Sequence, residues 1–87
     1  MSAKEIKALR AKAQEAYNLL LKAQRKYIRQ EIQYKTIGAP SAAIQSNAKR
    51  QELIKEALRL LIDYDNKLFL KAAKINGRRK NYAFRVN

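Results

Sequence analysis

The 87-residue chain has no cysteine, no histidine and no tryptophan. Without thiols there is no disulfide, no thiolate metal site and no cysteine nucleophile. Without imidazole the commonest acid–base group at neutral pH is missing. Acids are scarce, 7 against 20 lysines and arginines, which leaves a net charge of +13. Helix breakers are scarcer still, two glycines and one proline. No apolar run exceeds three residues, as in Leu60-Leu61-Ile62, far short of the roughly 20 that a membrane span needs. The N-terminal stretch MSAKEIKALR lacks an apolar core and reads as neither signal peptide nor anchor. The expectation is a soluble, intracellular, helical protein.

Apolar residues make up 47% of the chain, more than disordered segments carry. The length suits one domain with a modest core, so partners or self-assembly are expected to supply part of its stability. The positive charge is spread along the chain. Residues 1–44 hold 9 basic and 3 acidic side chains, and residues 45–87 hold 11 and 4. Anionic partners follow: nucleic acid, an acidic protein surface or a membrane. The membrane is the weakest of these. Interfacial helices carry large apolar residues along the buried face, and the first helix fills much of its seam with alanine.

Ser2 followed by Glu5 is a capping-box pattern, which predicts a helix starting at Ala3. Ile6, Leu9, Ala13, Ala16, Leu20, Ala23 and Tyr27 then step by three and four, a heptad-like seam. The pattern slips after Tyr27, where Ile28 and Ile32 take over. Residues 33–47, QYKTIGAPSAAIQSN, form the break. Ile32, Tyr34 and Thr36 alternate with polar residues, which suits a short strand as well as a helix end. Gly38 and Pro40 make a turn. A second helix is predicted from about Asn47 to Ile75, with Ile54, Ala57, Leu61, Tyr64, Leu68, Ala72 and Ile75 as its seam. Leu53, Leu58, Leu60, Phe69 and Leu70 broaden that stripe enough to meet more than one neighbour, and Leu53, Leu60 and Phe69 are the candidate oligomer- or partner-facing residues. Gly77 stands where a C-cap glycine belongs.

The expected fold is mainly α. Two long helices form an antiparallel hairpin over residues 1–76, with a short β-hairpin or extended segment possible between them. Residues 77–87 form an extended, basic C-terminal tail.

Lys22, Arg25, Lys26 and Arg29 share one helix face, opposite Leu20, and Lys4 and Lys7 continue it with Glu15 as its one acid. They are either an ordinary solvated face or a row of cations that tracks phosphates without reading sequence. Tyr17, Tyr27, Tyr34 and Tyr64 fall on or beside the apolar seams, where core packing explains them better than base stacking. Asp63 and Asp65 lie about 200° apart around a helix and do not converge as a catalytic or metal-binding pair. In the tail, Arg78, Arg79 and Lys80 precede Tyr82, Phe84, Arg85 and Val86. Tyr82, Phe84 and Val86 point to one side if the segment is extended, which suits docking as an edge strand or into a groove. A frayed terminus is the alternative.

The stretches AKAQEAYNLLLKA, YKTIGAPS, RQELIKEALRLLI and GRRKNYAFRVN together resemble, in layout, the small head-completion adaptors of tailed phages, the lambda W family. The β-hairpin of that family would fall around Ile32 to Ile37. The resemblance implies a virion structural protein without cofactors. It would form a homo-oligomeric ring beneath the portal, at the head–tail interface of the virion, after assembly in the host cytoplasm. Its partners would be the portal protein and the next connector or tail protein, with packaged DNA nearby. The segment Arg78 to Val86 would be its docking tail. The alternative is a small basic protein that binds nucleic acid without sequence preference, such as a nucleoid, ribosome-associated or regulatory protein.

Overall fold

The structure is a computed structural model and describes residues 1–75. It contains two α-helices of 35 residues each, α1 (Ala3–Ile37) and α2 (Ser41–Ile75). They pack against each other as an antiparallel hairpin, each about 50 Å long. Gly77 and the tail residues Arg78, Arg79, Lys80, Tyr82, Phe84, Arg85 and Val86 lie outside the described residues.

The capping box closes the start of α1. The Ser2 hydroxyl accepts from the Glu5 backbone N–H at 3.2 Å, and the Ser2 N–H donates to the Glu5 carboxylate at 2.7 Å. At the other end Gly38 takes the left-handed conformation, φ +68°, and its N–H and that of Ala39 both donate to the Tyr34 carbonyl. A Cβ at Gly38 would meet nothing within 4 Å, so the backbone angle alone calls for glycine there. Pro40 then opens α2, its carbonyl accepting from Ala43 and Ile44 at 3.0 and 3.3 Å.

The strand or β-hairpin alternative for Ile32–Ile37 does not hold, because α1 runs through it to Ile37. The Thr36 hydroxyl donates to the Ile32 carbonyl one turn back, at 2.8 Å, which suits a β-branched polar residue to a helix. The second helix also starts earlier than the sequence predicts, at Ser41 rather than near Asn47. Pro40 is compatible with this because it precedes the helix, where a missing N–H costs nothing.

The contact seam differs from the expected one. On α2 the inward positions are Asn47, Gln51, Ile54, Leu58, Leu61, Asp65, Leu68 and Ala72, an unbroken alternation of four and three. On α1 they are Ile6, Arg10, Ala13, Tyr17, Leu20, Gln24, Tyr27, Glu31 and Tyr34, with the same alternation. The pattern does not slip after Tyr27; it continues through Glu31 and Tyr34, leaving Ile28 and Ile32 exposed. Only Ile6, Ala13, Ile54, Leu58 and Leu68 are buried apolar residues among those described, and of these Ile6 alone is fully enclosed. Among the half-buried seam positions, Arg10 pairs with Asp65 and Gln51 with Glu31 across the helices.

Asn47 is the clearest case, 1% exposed. Its amide donates to the Tyr27 carbonyl and to Gln30 Oε1, both at 3.0 Å, while its Oδ1 accepts from the Gln51 amide. Gln51 also donates to Glu31 at 3.0 Å. These bonds pin the register of the two helices near the turn, because a slip of either helix would leave buried polar atoms unpaired.

Candidate docking face

The apolar stripe of each helix is wider than the seam that uses it. On α1, Leu9, Ala16 and Ala23 flank the seam on one side. On α2, Ala57 and Tyr64 flank it on the same side, with Leu53 and Leu60 one step further out. Arg50, one turn before Leu53 and Ala57, lies over the Tyr27 ring of α1 at 6.0 Å, which ties this side of α2 to this side of α1. The seam register places small residues along this side, Ala16 and Ala23 on α1 and Ala57 on α2, all half-buried, as the floor of the crease between the helices. Leu53, Leu60 and Tyr64 stand along it 56, 63 and 43% exposed. Leu19 is exposed on the α1 border.

Of the expected partner-facing residues, Leu53 and Leu60 are on this face. Phe69 is on the opposite side of the seam and half-buried, with the Arg10 guanidinium 5.2 Å from its ring centre. Arg10 there also donates to both oxygens of Asp65, at 2.8 and 2.9 Å. Those bonds raise the Arg10 pKa against a smaller opposing effect of burial. Ala13, Gln14, Tyr17, Leu61, Ile62, Asp65 and Asn66 line a shallow open cleft beside that pair.

Lys22, Arg25, Lys26 and Arg29 are all exposed on α1, and none is paired with another described residue. They form a ridge on the side of the hairpin turned away from α2. The acids near the seam are engaged. Glu31 accepts from Gln51 and pairs with Lys35 at 3.0 Å, and those contacts, the Gln51 bond first, hold its carboxyl below the ordinary range. Glu5 is lowered by the Ser2 backbone N–H and then by its hydroxyl. On α2, Glu52 pairs with Lys55 three residues on at 3.8 Å, an exposed pair that adds little stability.

Sequence reasoning missed the Arg10–Asp65 fork and the Asn47–Gln51–Glu31 cluster. The signal was present in the four-three spacing, but only when polar residues were admitted to the seam. Counting apolar residues alone gave Ala57 and Tyr64 the places that belong to Leu58 and Asp65. Tyr17, Tyr27 and Tyr34 are half-buried in the seam, whereas Tyr64 is exposed.

Among the described residues no three His, Cys, Asp or Glu side chains cluster as metal ligands, and no helix is long and apolar enough to cross a membrane. The chemistry this arrangement offers is burial of apolar surface in the groove and ion pairing along the ridge. No protein family model matches the chain, and no curated protein or solved structure does so either.

Proposed function

We propose that this chain is a non-catalytic assembly protein that docks on another protein through the Leu53–Leu60–Tyr64 face. One observation carries the reading. The hairpin closes on a partly polar seam and leaves a run of its own apolar stripe exposed beside it. A protein whose only task was to fold as a hairpin would centre its contact on that stripe. The cationic ridge of Lys22, Arg25, Lys26 and Arg29 would face anionic surroundings on the other side of α1.

The narrower form is a ring-forming adaptor at the portal vertex of a tailed phage, contacting the portal protein and the next connector. It rests on the layout of the sequence alone. Against it, α1 continues as helix through the segment in which that family has its hairpin. The broader assembly reading does not depend on that segment.

The test is sedimentation with the native particle, before and after nuclease and high salt. The wild-type chain is expected to stay bound through both treatments, and a Leu53→Lys/Leu60→Lys variant to be released. Release of the wild type by nuclease would sink the assembly reading. It would favour a small basic nucleic-acid-binding protein, for which the ridge, exposed and without ion-pair partners among the described residues, is the supporting observation.

A further inference from the structure

We propose that the groove between α1 and α2 receives a single amphipathic helix from an acidic partner protein. This rests on the assembly reading above and names the chemistry of the partner. The shape of the site selects a helix. Both walls are helices whose backbone groups are already hydrogen-bonded, so there is no sheet edge for an incoming strand. Leu53, Ala57, Leu60 and Tyr64 repeat with the four-three-four spacing that a facing helix meshes with. The alanine floor lets that helix approach closely, as small residues do wherever helix backbones meet tightly. The apolar run spans about 17 Å, three turns of a partner helix.

Charge selects the partner's sign. The same face of α2 passes into Arg50 before the apolar run and into Lys67 and Lys71 after it, and Lys12 and Lys26 lie on the α1 border. Glu56 and Asp63 lie further round, on the back of α2. A second copy of this chain would bring the same cations and another +13 of net charge to the groove. A helix with leucine-like residues on one face and glutamates or aspartates flanking them meets both features: the apolar centre and the cationic ends.

The probe is a synthetic helix of about four heptads, with leucine at the a and d positions and glutamate at the flanking ones. A control peptide carries lysine in place of glutamate. Each is titrated into the full-length chain with labelled leucine methyl groups. The glutamate helix is expected to shift the Leu53 and Leu60 methyls saturably, and the lysine helix to bind at least about tenfold more weakly. Leu60→Lys, a change at an exposed position of a stable helix, should weaken binding by about tenfold or more, whereas Arg25→Glu/Arg29→Glu should change it by less than about threefold.

Three results would overturn the proposal. One is no saturable shift at Leu53 and Leu60. Another is binding lost with the Arg25/Arg29 reversal but kept with Leu60→Lys. The third is a free chain that already dimerises through this face, seen by sedimentation equilibrium and broken by Leu60→Lys. The two readings fail separately. Particle release by Leu53→Lys/Leu60→Lys without glutamate-helix binding would refute the acidic helix and keep the assembly role. Glutamate-helix binding with particle retention unchanged would do the reverse.

Discussion

Arg10 holds Asp65 in a two-pronged fork, Nε to Oδ1 at 2.8 Å and Nη2 to Oδ2 at 2.9 Å, across 55 residues of chain. The fork lies toward the open end of the hairpin and the Asn47 cluster toward its turn. Between them the two polar contacts set the register at both ends, and Ala13, Leu20, Ile54, Leu58 and Leu61 pack in the middle.

Replacing Asp65 by Asn keeps the shape and removes the charge. Both side chains are about a third exposed (32%), so solvent discounts the pair. The expected loss is about 1 kcal/mol. For a domain of this size that lowers the melting temperature by about 4–8 °C, measured by circular dichroism. An unchanged melt would mean that the fork adds nothing net.

Asn47→Asp should cost more. The amide that donates to the Tyr27 carbonyl and to Gln30 would become a carboxylate facing two acceptors. A loss of about 2–3 kcal/mol is expected at pH 7. The gap to the wild type should narrow as the pH drops and the introduced carboxylate takes up a proton. Urea titrations of both proteins at pH 7 and pH 4 check this.

Gly38→Ala places a Cβ in open space but at φ +68°. The expected cost is about 1 kcal/mol, all of it backbone strain. Gly38→Asn should recover part of that loss, because asparagine tolerates the left-handed region. Thermal melts of the two variants decide it.

Glu5 and Glu31 are both held below the ordinary carboxylate range in the folded chain. A lowered folded pKa means that their contribution is complete above the unfolded value. It is lost as the pH falls through the folded ones. The melting temperature should therefore be flat from pH 7 to about pH 5 and decline below about pH 4. Glu5→Gln/Glu31→Gln should start lower and decline less over the same interval.

Reversing Arg25 and Arg29 to glutamate should weaken any binding to duplex DNA and flatten its dependence on salt. The helix content should not change, since neither side chain pairs with a described residue. Fluorescence anisotropy at two salt concentrations reads both the affinity and the slope. Unchanged binding at low salt would return the ridge to an ordinary solvated surface.

The hairpin itself was legible in the sequence. Ser2 and Glu5 marked the start, Gly38 and Pro40 marked the turn, and three-four spacing marked both helices. The wrong strand alternative came from Ile32, Tyr34 and Thr36, where period-two alternation overlaps a helix whose threonine bonds back on its own turn. The seam was displaced because Arg10, Glu31, Asn47, Gln51 and Asp65 look like surface residues until their partners on the other helix are known. That information is long-range and no local pattern carries it. The same displacement hid the groove. Leu53 and Leu60 could be named as partner-facing from stripe width, but the alanine floor emerged only once the true seam had been subtracted.

Equal helices joined by a short turn put both ends of the hairpin together. Ile6 and Ala72 line one small hollow there. Pulling on Met1 and Ile75 would therefore peel the helices apart one contact at a time, from Ile6 through the Arg10–Asp65 fork to Asn47. It would not shear them along their length. Peeling breaks bonds in sequence and yields at low force. A load entering sideways, through the Leu53–Tyr64 face, spreads over the whole seam. The described hairpin is mechanically weak when pulled at Met1 and Ile75 and stronger under a load across its seam.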